Sequence, residues 1–332
     1  MKKLVVVFMA LMVTCCSACS KSPESPDAGG NKEDKVKVSE RNLERAVILI
    51  ENAAKHYSKD GTTAFSMTYN PFSSKPSDNL VSVWEYTSSI EAVTAAMNSM
   101  KAFRDAGNST VYDSKYETFK SLLARLYAGL EYYKGTFELT SYTGTATWSP
   151  YGVHRASSPG TAAVAGVENV YDDQMWIIRE LINAWRATGE AGYLERAEYL
   201  TAYVLDGWDC TLNASGKENG GITWGPGYVT KHACSNSPMI TPLVWLHEIY
   251  KGKSDEITYG VINADNTRAK KTSKKADWYL EMAVKIYDWQ KGCLLRSDGV
   301  YDDFMGGYKT GGGQPEYETV NGAKYRKNTA LY

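Results

Sequence analysis

The sequence lacks several features that would place it in a common functional class. It has no excess of positive charge, since 37 Lys and Arg residues face 38 Asp and Glu residues, whereas nucleic-acid binders usually carry a basic surplus. Phenylalanine is scarce, with 7 residues against 24 Tyr and 9 Trp. Rings that also carry a hydrogen-bonding group suit the faces of sugars, and they also suit the hydrated edge of a core. Because the charges are balanced, no nucleic-acid partner is expected.

Several familiar catalytic and metal-binding motifs are also missing. His247-Glu248 is not followed by the second histidine of a zinc protease, and no GxSxG elbow, Walker loop or dinucleotide fingerprint occurs. The domain that follows the N-terminal region has an odd number of cysteines without metal-ligand spacing, namely Cys210, Cys234 and Cys293. The sequence therefore predicts no disulfide framework, no metal site and no cofactor.

An apolar run at the N-terminus is too short to span a bilayer and is typical of an export signal. Lys2 and Lys3 precede it, and Ser17-Ala18-Cys19 follows it as in a bacterial lipobox, whose cysteine is acylated after cleavage. We predict a signal peptide over residues 1–18, lipidation of Cys19 and a membrane-anchored lipoprotein, in the bacterial outer membrane at the cell surface or the periplasmic face. Cys15 or Cys16 as the modified residue and a plain signal peptide are the alternatives.

The next segment has the composition of a solvated tether. Residues 19–38 are rich in Ser, Pro, Asp, Glu, Lys and Gly and show no apolar period, which is typical of a flexible linker. The chain of 332 residues is 43% hydrophobic, which is enough for one large core. We therefore predict a single folded domain over residues 39–332.

The apolar spacing of that domain is helical almost throughout. Helices are predicted from an N-cap at Ser39 to residue 57, and over 80–106, 113–134, 169–188, 192–208, 236–250 and 274–290, with an eighth starting near Tyr325. No convincing alternating strand pair is present, so the predicted fold is all-α. The pentapeptide that begins at Tyr193 is echoed at Tyr279, which favours stacked helical hairpins.

The loop lengths predict that functional loops gather on one face. The segments before the second, fourth, sixth and eighth helices are long and rich in Gly, Pro and aromatic residues, whereas those before the third and fifth are short. In an up-and-down arrangement, the N-termini of alternate helices emerge on the same face. Loops on a rigid scaffold are where binding and catalysis usually occur.

Two adjacent aspartates, Asp172 and Asp173, open the fourth predicted helix. They could simply complement the helix dipole. Glycoside hydrolysis, however, needs two carboxyl groups about 5 to 5.5 Å apart for retention, or about 6.5 to 9.5 Å apart for inversion. Helix neighbours can reach the shorter separation. Since two like charges that close raise one pKa, one carboxyl can stay protonated while its partner is ionised.

Three segments occur in order along the chain: Tyr171-Asp172-Asp173-Gln174-Met175-Trp176, Gly220-Gly221-Ile222-Thr223-Trp224 and Lys231-His232-Ala233-Cys234-Ser235-Asn236-Ser237-Pro238. Together they resemble glycoside hydrolase family 76, the α-1,6-mannanases. The resemblance covers the chain from about residue 39 onward and implies an (α/α)6 toroid that cleaves α-1,6 linkages in mannan. It casts Asp172 as the nucleophile and Asp173 as the general acid/base of a retaining mechanism.

The sequence departs from the family pattern at three internal positions and at its end. Gln174 follows the aspartates where Asn is usual, and His232 and Ser237 stand where Asn and Gly are frequent. Residues 326–332 resemble the start of an inner helix, and about eight helices are predicted where a closed toroid has twelve. We therefore expect a C-terminally truncated, incomplete toroid.

Further residues are predicted to bind the sugar chain. They are Trp224, Tyr228, Gly221, Asn236, Trp148, Tyr151 and Tyr171. The candidates for stacking on pyranose rings are Trp224, Tyr228, Trp148 and Tyr151, although core packing would also explain each tryptophan. Asp302-Asp303 is a second acidic pair and a rival for the catalytic role. Turn chemistry also explains it, so we expect a rim or substrate contact there.

Two other functions remain open at this point. One is a different helical-toroid carbohydrate enzyme, such as an unsaturated uronyl hydrolase or a sugar epimerase. The other is a non-catalytic surface lipoprotein that captures glycans. The adjacent aspartates favour an enzyme, because a binding protein has no need for two carboxyl groups at this separation. The predicted partners are thus mannan or mannooligosaccharides and, through the lipid anchor, a membrane.

Overall fold

The structure, a computed structural model, describes residues 32–59, 63–305, 317–320 and 323–326. It divides into two units, residues 1–41 and 42–332. The described part of the first unit, residues 32–41, is helical. The predicted signal peptide, Cys19 and the first part of the predicted tether lie outside the described residues.

Seven α-helices form the frame of the described chain. They are α1 (Lys32–Tyr57), α2 (Val83–Asp105), α3 (Thr110–Leu130), α4 (Tyr171–Thr188), α5 (Ala191–Asp206), α6 (Ser237–Tyr250) and α7 (Lys275–Cys293). All seven were predicted, and the mainly helical fold is confirmed. The largest difference in a boundary is at α1, which begins before the N-cap predicted at Ser39.

Local signals explain where two of these helices begin and end. The backbone N–H of Ser82 donates to the Glu85 carboxylate at 2.7 Å, which is half of a capping box at the start of α2. Gly189 ends α4 with φ of 77°, a left-handed conformation that glycine adopts without steric cost. Its neighbour α5 begins almost at once, so α4 and α5 are antiparallel.

Consecutive helices pair into three hairpins, α2 with α3, α4 with α5, and α6 with α7. The central helix α4 also packs against α2 and α6. The even-numbered helices therefore form one layer and their hairpin partners another, as in part of an α/α toroid. The echoed pentapeptides lie on α5 and α7, the second helices of successive hairpins, so the echo spans one hairpin.

The core between these layers contains tyrosines as well as aliphatic residues. Tyr86, Tyr133, Tyr203 and Tyr279 are among its largest fully buried side chains. Their hydroxyl groups need partners, and Tyr86 and Tyr133 donate to the carbonyls of Leu126 and Val81, both at 2.9 Å. Part of the high tyrosine content thus serves packing between helices.

The prediction that no strand pair is present is wrong. The described residues contain five two-stranded antiparallel sheets: β1 (Tyr69–Asn70) with β2 (Lys75–Pro76), β3 (Phe137–Thr140) with β4 (Thr145–Trp148), β5 (Lys231–His232) with β8 (Phe304–Met305), β6 (Glu256–Ile262) with β7 (Arg268–Lys274), and β9 (Tyr317–Val320) with β10 (Ala323–Arg326). The longest, β6–β7, was missed because β7 is rich in lysine and has no apolar alternation to reveal it. Only the partner strand β6 alternates between polar and apolar residues. In β6, the ring of Tyr259 stacks on that of Trp278, with the ring centroids 5.1 Å apart.

The start predicted for the eighth helix, near Tyr325, is also wrong. Tyr325 lies in β10 and pairs with Glu318 of β9. The residues between these strands are Asn321-Gly322, the dipeptide most typical of a two-residue hairpin, and this signal outweighs a weak helical pattern. Residues 327–332 lie outside the described part of the chain. No described helix is both long and apolar enough to cross a membrane.

Candidate active site

The starts of α2, α4 and α6 lie close together, as the loop pattern predicted. The backbone N–H of Val83, in the first turn of α2, donates to the carbonyl of Val153 at 2.9 Å. The N–H of Val153 in turn donates to the carbonyl of Glu168, just before α4, at 3.0 Å. The N–H of Tyr171, the first residue of α4, donates to the carbonyl of Trp224 at 2.8 Å. The long loops that precede these helices are thereby joined around the first turn of α4.

Asp172 and Asp173 occupy this first turn in different surroundings. One carboxylate oxygen of Asp172 accepts from the indole Nε1–H of Trp224 at 3.3 Å, and the other accepts from the backbone N–H of Asp173 at 3.1 Å. The Cys234 thiol provides a further hydrogen bond to Asp172. Asp173 is only 8% exposed, and its charged neighbours are Asp172 and Glu85.

These surroundings separate the pKa values of the two carboxyl groups. Burial, with repulsion from Asp172 and Glu85, raises the pKa of Asp173 to about 8. Burial also raises the pKa of Asp172, but the hydrogen bonds from Cys234, Trp224 and the backbone act in the opposite direction. Asp173 is thus mainly protonated at neutral pH, while the ionised form of Asp172 is stabilised by three kinds of donor. One neutral acid beside one carboxylate can perform acid–base and nucleophilic chemistry.

Glu85 is a member of this charge cluster that sequence analysis missed. It is the third residue of α2, where its carboxylate caps the helix through the Ser82 N–H. Its sequence signal, Ser82-x-x-Glu85, is that of an ordinary helix start. Only the packing of α2 against α4 shows that it faces Asp173.

Two of the predicted sugar-binding rings lie beside Asp172. Trp224 is half-buried, and its ring centroid is 4.7 Å from that of Tyr228 and 4.9 Å from that of His232. A partly exposed indole with a neighbouring phenol can offer a flat surface to a pyranose ring. The predicted grouping of Trp224 and Tyr228 with the aspartates is therefore present.

The second acidic pair reaches the site through the β5–β8 ladder, which pairs His232 with Phe304. The carbonyl of Asp303 accepts the Ala233 N–H at 2.7 Å, and its carboxylate lies 3.9 Å from His232 Nδ1. Burial raises the pKa of Asp303. Asp302 is buried, with its carboxylate 3.9 Å from Arg296. Only Asp303 of this pair therefore lies at the edge of the candidate site.

Three other predicted contacts have packing roles in the structure. Tyr171 is 2% exposed and packs on Tyr203 at 5.2 Å. Trp148, on β4, packs on Tyr199 and on the same Tyr203. Tyr151 is buried and accepts from Arg196. Tyr171 and Tyr151 thus lie in the core, and the partly buried Trp148 packs against it. Core packing was the alternative for Trp148.

Asn236 and Gly221 shape the segment that carries Trp224. The buried Asn236 side chain accepts from the Ile222 N–H at 2.8 Å and donates to the carbonyls of Ile222 and His232 at 2.9 and 2.7 Å. Gly221 has φ of 80°, and a Cβ there would lie 2.4 Å from the Trp289 ring. The polar atoms of the Asn236 side chain are thus used within the protein, and both residues shape the segment that carries Trp224.

Gln174, one of the departures from the family pattern, has a structural partner. Its side chain accepts from the Tyr151 N–H at 3.0 Å and donates to the Tyr151 carbonyl at 2.6 Å. Its side chain thus fixes the loop before α4 at Tyr151. Among the described residues, no group of three or more His, Cys, Asp and Glu side chains could hold a metal ion, and no disulfide joins any of Cys210, Cys234 and Cys293.

The segments that form the site match a known protein family. Residues 161–251, which include the aspartate pair and Trp224, match the model described as Glycosyl hydrolase family 76. This segment of the chain is similar to that family. The resemblance that the three motifs indicated is thus confirmed. No curated protein matches the chain by sequence.

Solved family 76 structures share the fold. A family 76 α-mannanase of Bacteroides thetaiotaomicron is 18% identical, with a TM-score of 0.53 over 89% of this chain and 60% of that one. A family 76 glycoside hydrolase from a bovine strain of the same species is 19% identical, with a TM-score of 0.56 over 90% and 50%. A family 76 mannosidase of that species is 17% identical, with a TM-score of 0.53 over 86% and 62%. This chain therefore spans 50 to 62% of the length of these relatives.

Proposed function

We propose that the protein is a retaining glycoside hydrolase that cleaves α-1,6-mannosidic linkages in mannan. The observation that carries the proposal is the unlike environment of the two adjacent carboxyl groups. Asp173 has a pKa of about 8, and Asp172 accepts hydrogen bonds from Trp224, Cys234 and the backbone. A glycan-binding protein has no need for such a pair, whereas glycoside hydrolysis uses one carboxylic acid and one carboxylate.

In the first proposed step, the Asp172 carboxylate attacks the anomeric carbon. The bond to the leaving oxygen breaks, and that oxygen takes the proton of Asp173. In the second step the Asp173 carboxylate removes a proton from water, which attacks the same carbon and releases Asp172. Each step inverts the anomeric centre, so the product keeps the α configuration.

The substrate class follows from the rings and from the relatives. Trp224 and Tyr228 lie beside the carboxyl pair and are proposed to stack on mannose units. Two of the similar structures are an α-mannanase and a mannosidase by name. The α-1,6 linkage and the roles of nucleophile and acid/base are carried over from the family resemblance of the three motifs.

We also propose a cellular location for the protein. The N-terminal residues have the pattern of a lipoprotein signal with Cys19 as the acylated residue, and mannan is a polymer found outside the cell that degrades it. We propose that the protein is exported and anchored to a membrane by lipid.

The direct test is incubation of the protein with α-1,6-mannan, followed by measurement of new reducing ends. Proton NMR of the first product would show the α anomer before mutarotation. The matched control is the Asp172→Asn variant, which should release nothing. Binding of mannan without release of sugar would support glycan capture instead, and activity only on uronyl or epimerase substrates would move the protein to another class of toroid enzyme.

A further inference from the structure

His232 is a buried ring held between two other rings. Its centroid lies 4.5 Å from Phe304 at an interplanar angle of 16°, and 4.9 Å from Trp224 at 31°. The side chain is about 5% exposed. Phe304 belongs to β8 and His232 to β5, so the two-residue ladder between these strands aligns the stack.

Burial keeps the His232 ring neutral. Its Nε2 is hydrogen-bonded to the Thr230 hydroxyl at 2.8 Å, and Asp303 lies 3.9 Å from its Nδ1. Burial lowers the pKa of His232 to about 4. The ammonium group of the adjacent Lys231 donates hydrogen bonds to the Asp209 carboxylate and to the Gly220 carbonyl, both at 2.7 Å. At neutral pH His232 is therefore an uncharged, flat ring, and the hydrogen bond between its Nε2 and Thr230 fixes one edge.

Trp224 receives its orientation from this ring. Its backbone is fixed on both sides, since its N–H donates to Thr230 at 2.9 Å and its carbonyl accepts from Tyr171 at 2.8 Å. With the backbone fixed, the orientation of the indole depends on rotation about the side-chain bonds of Trp224. The neighbouring rings of Tyr228 and His232 restrict that rotation. The direction of the Nε1–H toward Asp172, at 3.3 Å, depends on that rotation.

We propose that His232 is a positioning residue that holds the indole of Trp224 so that its N–H donates to Asp172. The catalytic consequence rests on the proposed function, but the geometric statement does not. His232 is one of the departures from the family pattern, so this arrangement is a property of the chain itself. Through it, a residue that touches neither aspartate affects the ionisation of the proposed nucleophile.

The test is a titration of the Asp172 carboxyl in the substrate-free protein, followed by NMR with ¹³C-labelled aspartate and assigned by the loss of one signal in Asp172→Asn. His232→Ala removes the support of the indole, so the pKa of Asp172 should rise, because a hydrogen bond to the charged form is lost. Trp224→Phe, which keeps a ring but removes the N–H, should raise the pKa by the same amount. The double variant should show no further rise, since both changes remove one interaction.

His232→Phe is the matched control, because it keeps a flat ring between Trp224 and Phe304. Its Asp172 should titrate as in the wild type. The inference is overturned if His232→Ala leaves the titration of Asp172 unchanged while Trp224→Phe shifts it, or if the two shifts add. Circular dichroism of each variant shows that the fold is kept.

Enzyme kinetics then separate this inference from the proposed function. If mannan is cleaved, the acidic limb of the kcat/KM profile should move to higher pH in His232→Ala and stay in place in His232→Phe. A general loss of folded protein would lower the activity at every pH without moving the limb. If the wild type cleaves nothing, the proposed function fails, and the NMR titration still decides whether His232 positions the indole.

Discussion

Lys231 Nζ lies 2.7 Å from Asp209 Oδ2, and both side chains are almost completely buried. The same ammonium group donates to the Gly220 carbonyl, so one cation holds the start of the Gly220–Trp224 segment. Removing one partner of a buried ion pair costs about 3–5 kcal/mol, because the other charge stays buried and uncompensated. Lys231→Met should therefore lower the free energy of unfolding by about that amount in urea denaturation.

The matched control for this prediction is the ion pair between Lys120 and Glu190, whose members are 37% and 50% exposed. An exposed pair contributes about 0–1 kcal/mol, so Lys120→Met should change the unfolding midpoint little. Equal losses in the two variants would show that the buried pair has no special role.

The two aspartates should respond differently to replacement. Asp172→Asn should abolish turnover even on an aryl mannoside with an activated leaving group, because attack needs an ionised carboxylate. Asp173→Ala should lose about 10²- to 10⁴-fold on mannan and far less in the first step on the aryl mannoside, whose leaving group needs no proton. Azide should rescue that variant, since it replaces the water that Asp173 would activate. Unchanged activity of both variants on mannan would move the search to Asp303.

The pH profile should report the acid. Because Asp173 has a pKa of about 8 and acts in its protonated form, kcat/KM should fall as the pH rises through that value. Glu85→Gln removes a neighbouring negative charge but keeps the capping side chain, so the falling limb should move to lower pH. Asp265→Asn, on an exposed turn, is the control and should leave the limb in place. A limb that does not move in Glu85→Gln would contradict the role given to this residue.

The stability of the fold should depend on the same carboxyl group. The pKa of Asp173 is raised from 3.8 to about 8 on folding, so the native state binds more protons than the unfolded state between these pH values. This residue therefore makes the protein progressively less stable as the pH rises from about 4 to 8, with no further loss above that range. Asp173→Asn should be more stable than the wild type, by a margin in urea midpoints that widens from pH 4 to pH 8. A margin that stays constant with pH would disprove the linkage.

The lipid anchor can be tested by cell fractionation. Cys19→Ser should abolish membrane association and leave the folded domain intact, since stable anchoring needs more than one acyl chain and all of them depend on this residue. Cys16→Ser is the control and should partition like the wild type. Unchanged partition of Cys19→Ser would transfer the role to another cysteine or end the lipoprotein hypothesis.

The sequence predicted the helices well and the side-chain roles less well, for physical reasons. Apolar residues at helical spacing mark a buried face wherever the helix packs, so all seven helices could be located. Whether a ring such as Tyr171 or Trp148 faces solvent or a neighbouring helix depends on tertiary packing, which one sequence does not contain. The role of Glu85 was missed for the same reason, because only the packing of α2 against α4 brings it beside Asp173. His232 was noted only as a departure from the family pattern, because its proposed action on Asp172 passes through Trp224.

Asp172 and Asp173 are adjacent in sequence, but their environments come from opposite sides of α4. The donors to Asp172 arrive with the segment that leads into α6, whereas the charge beside Asp173 comes from α2. A substitution in the Trp224–Cys234 region would thus act first on the proposed nucleophile, and one in the first turn of α2 would act first on the acid. Because the two carboxyl groups repel each other, each change is also passed on to the other group. The two halves of a single dipeptide can therefore be tuned from two different hairpins, but they cannot be tuned independently.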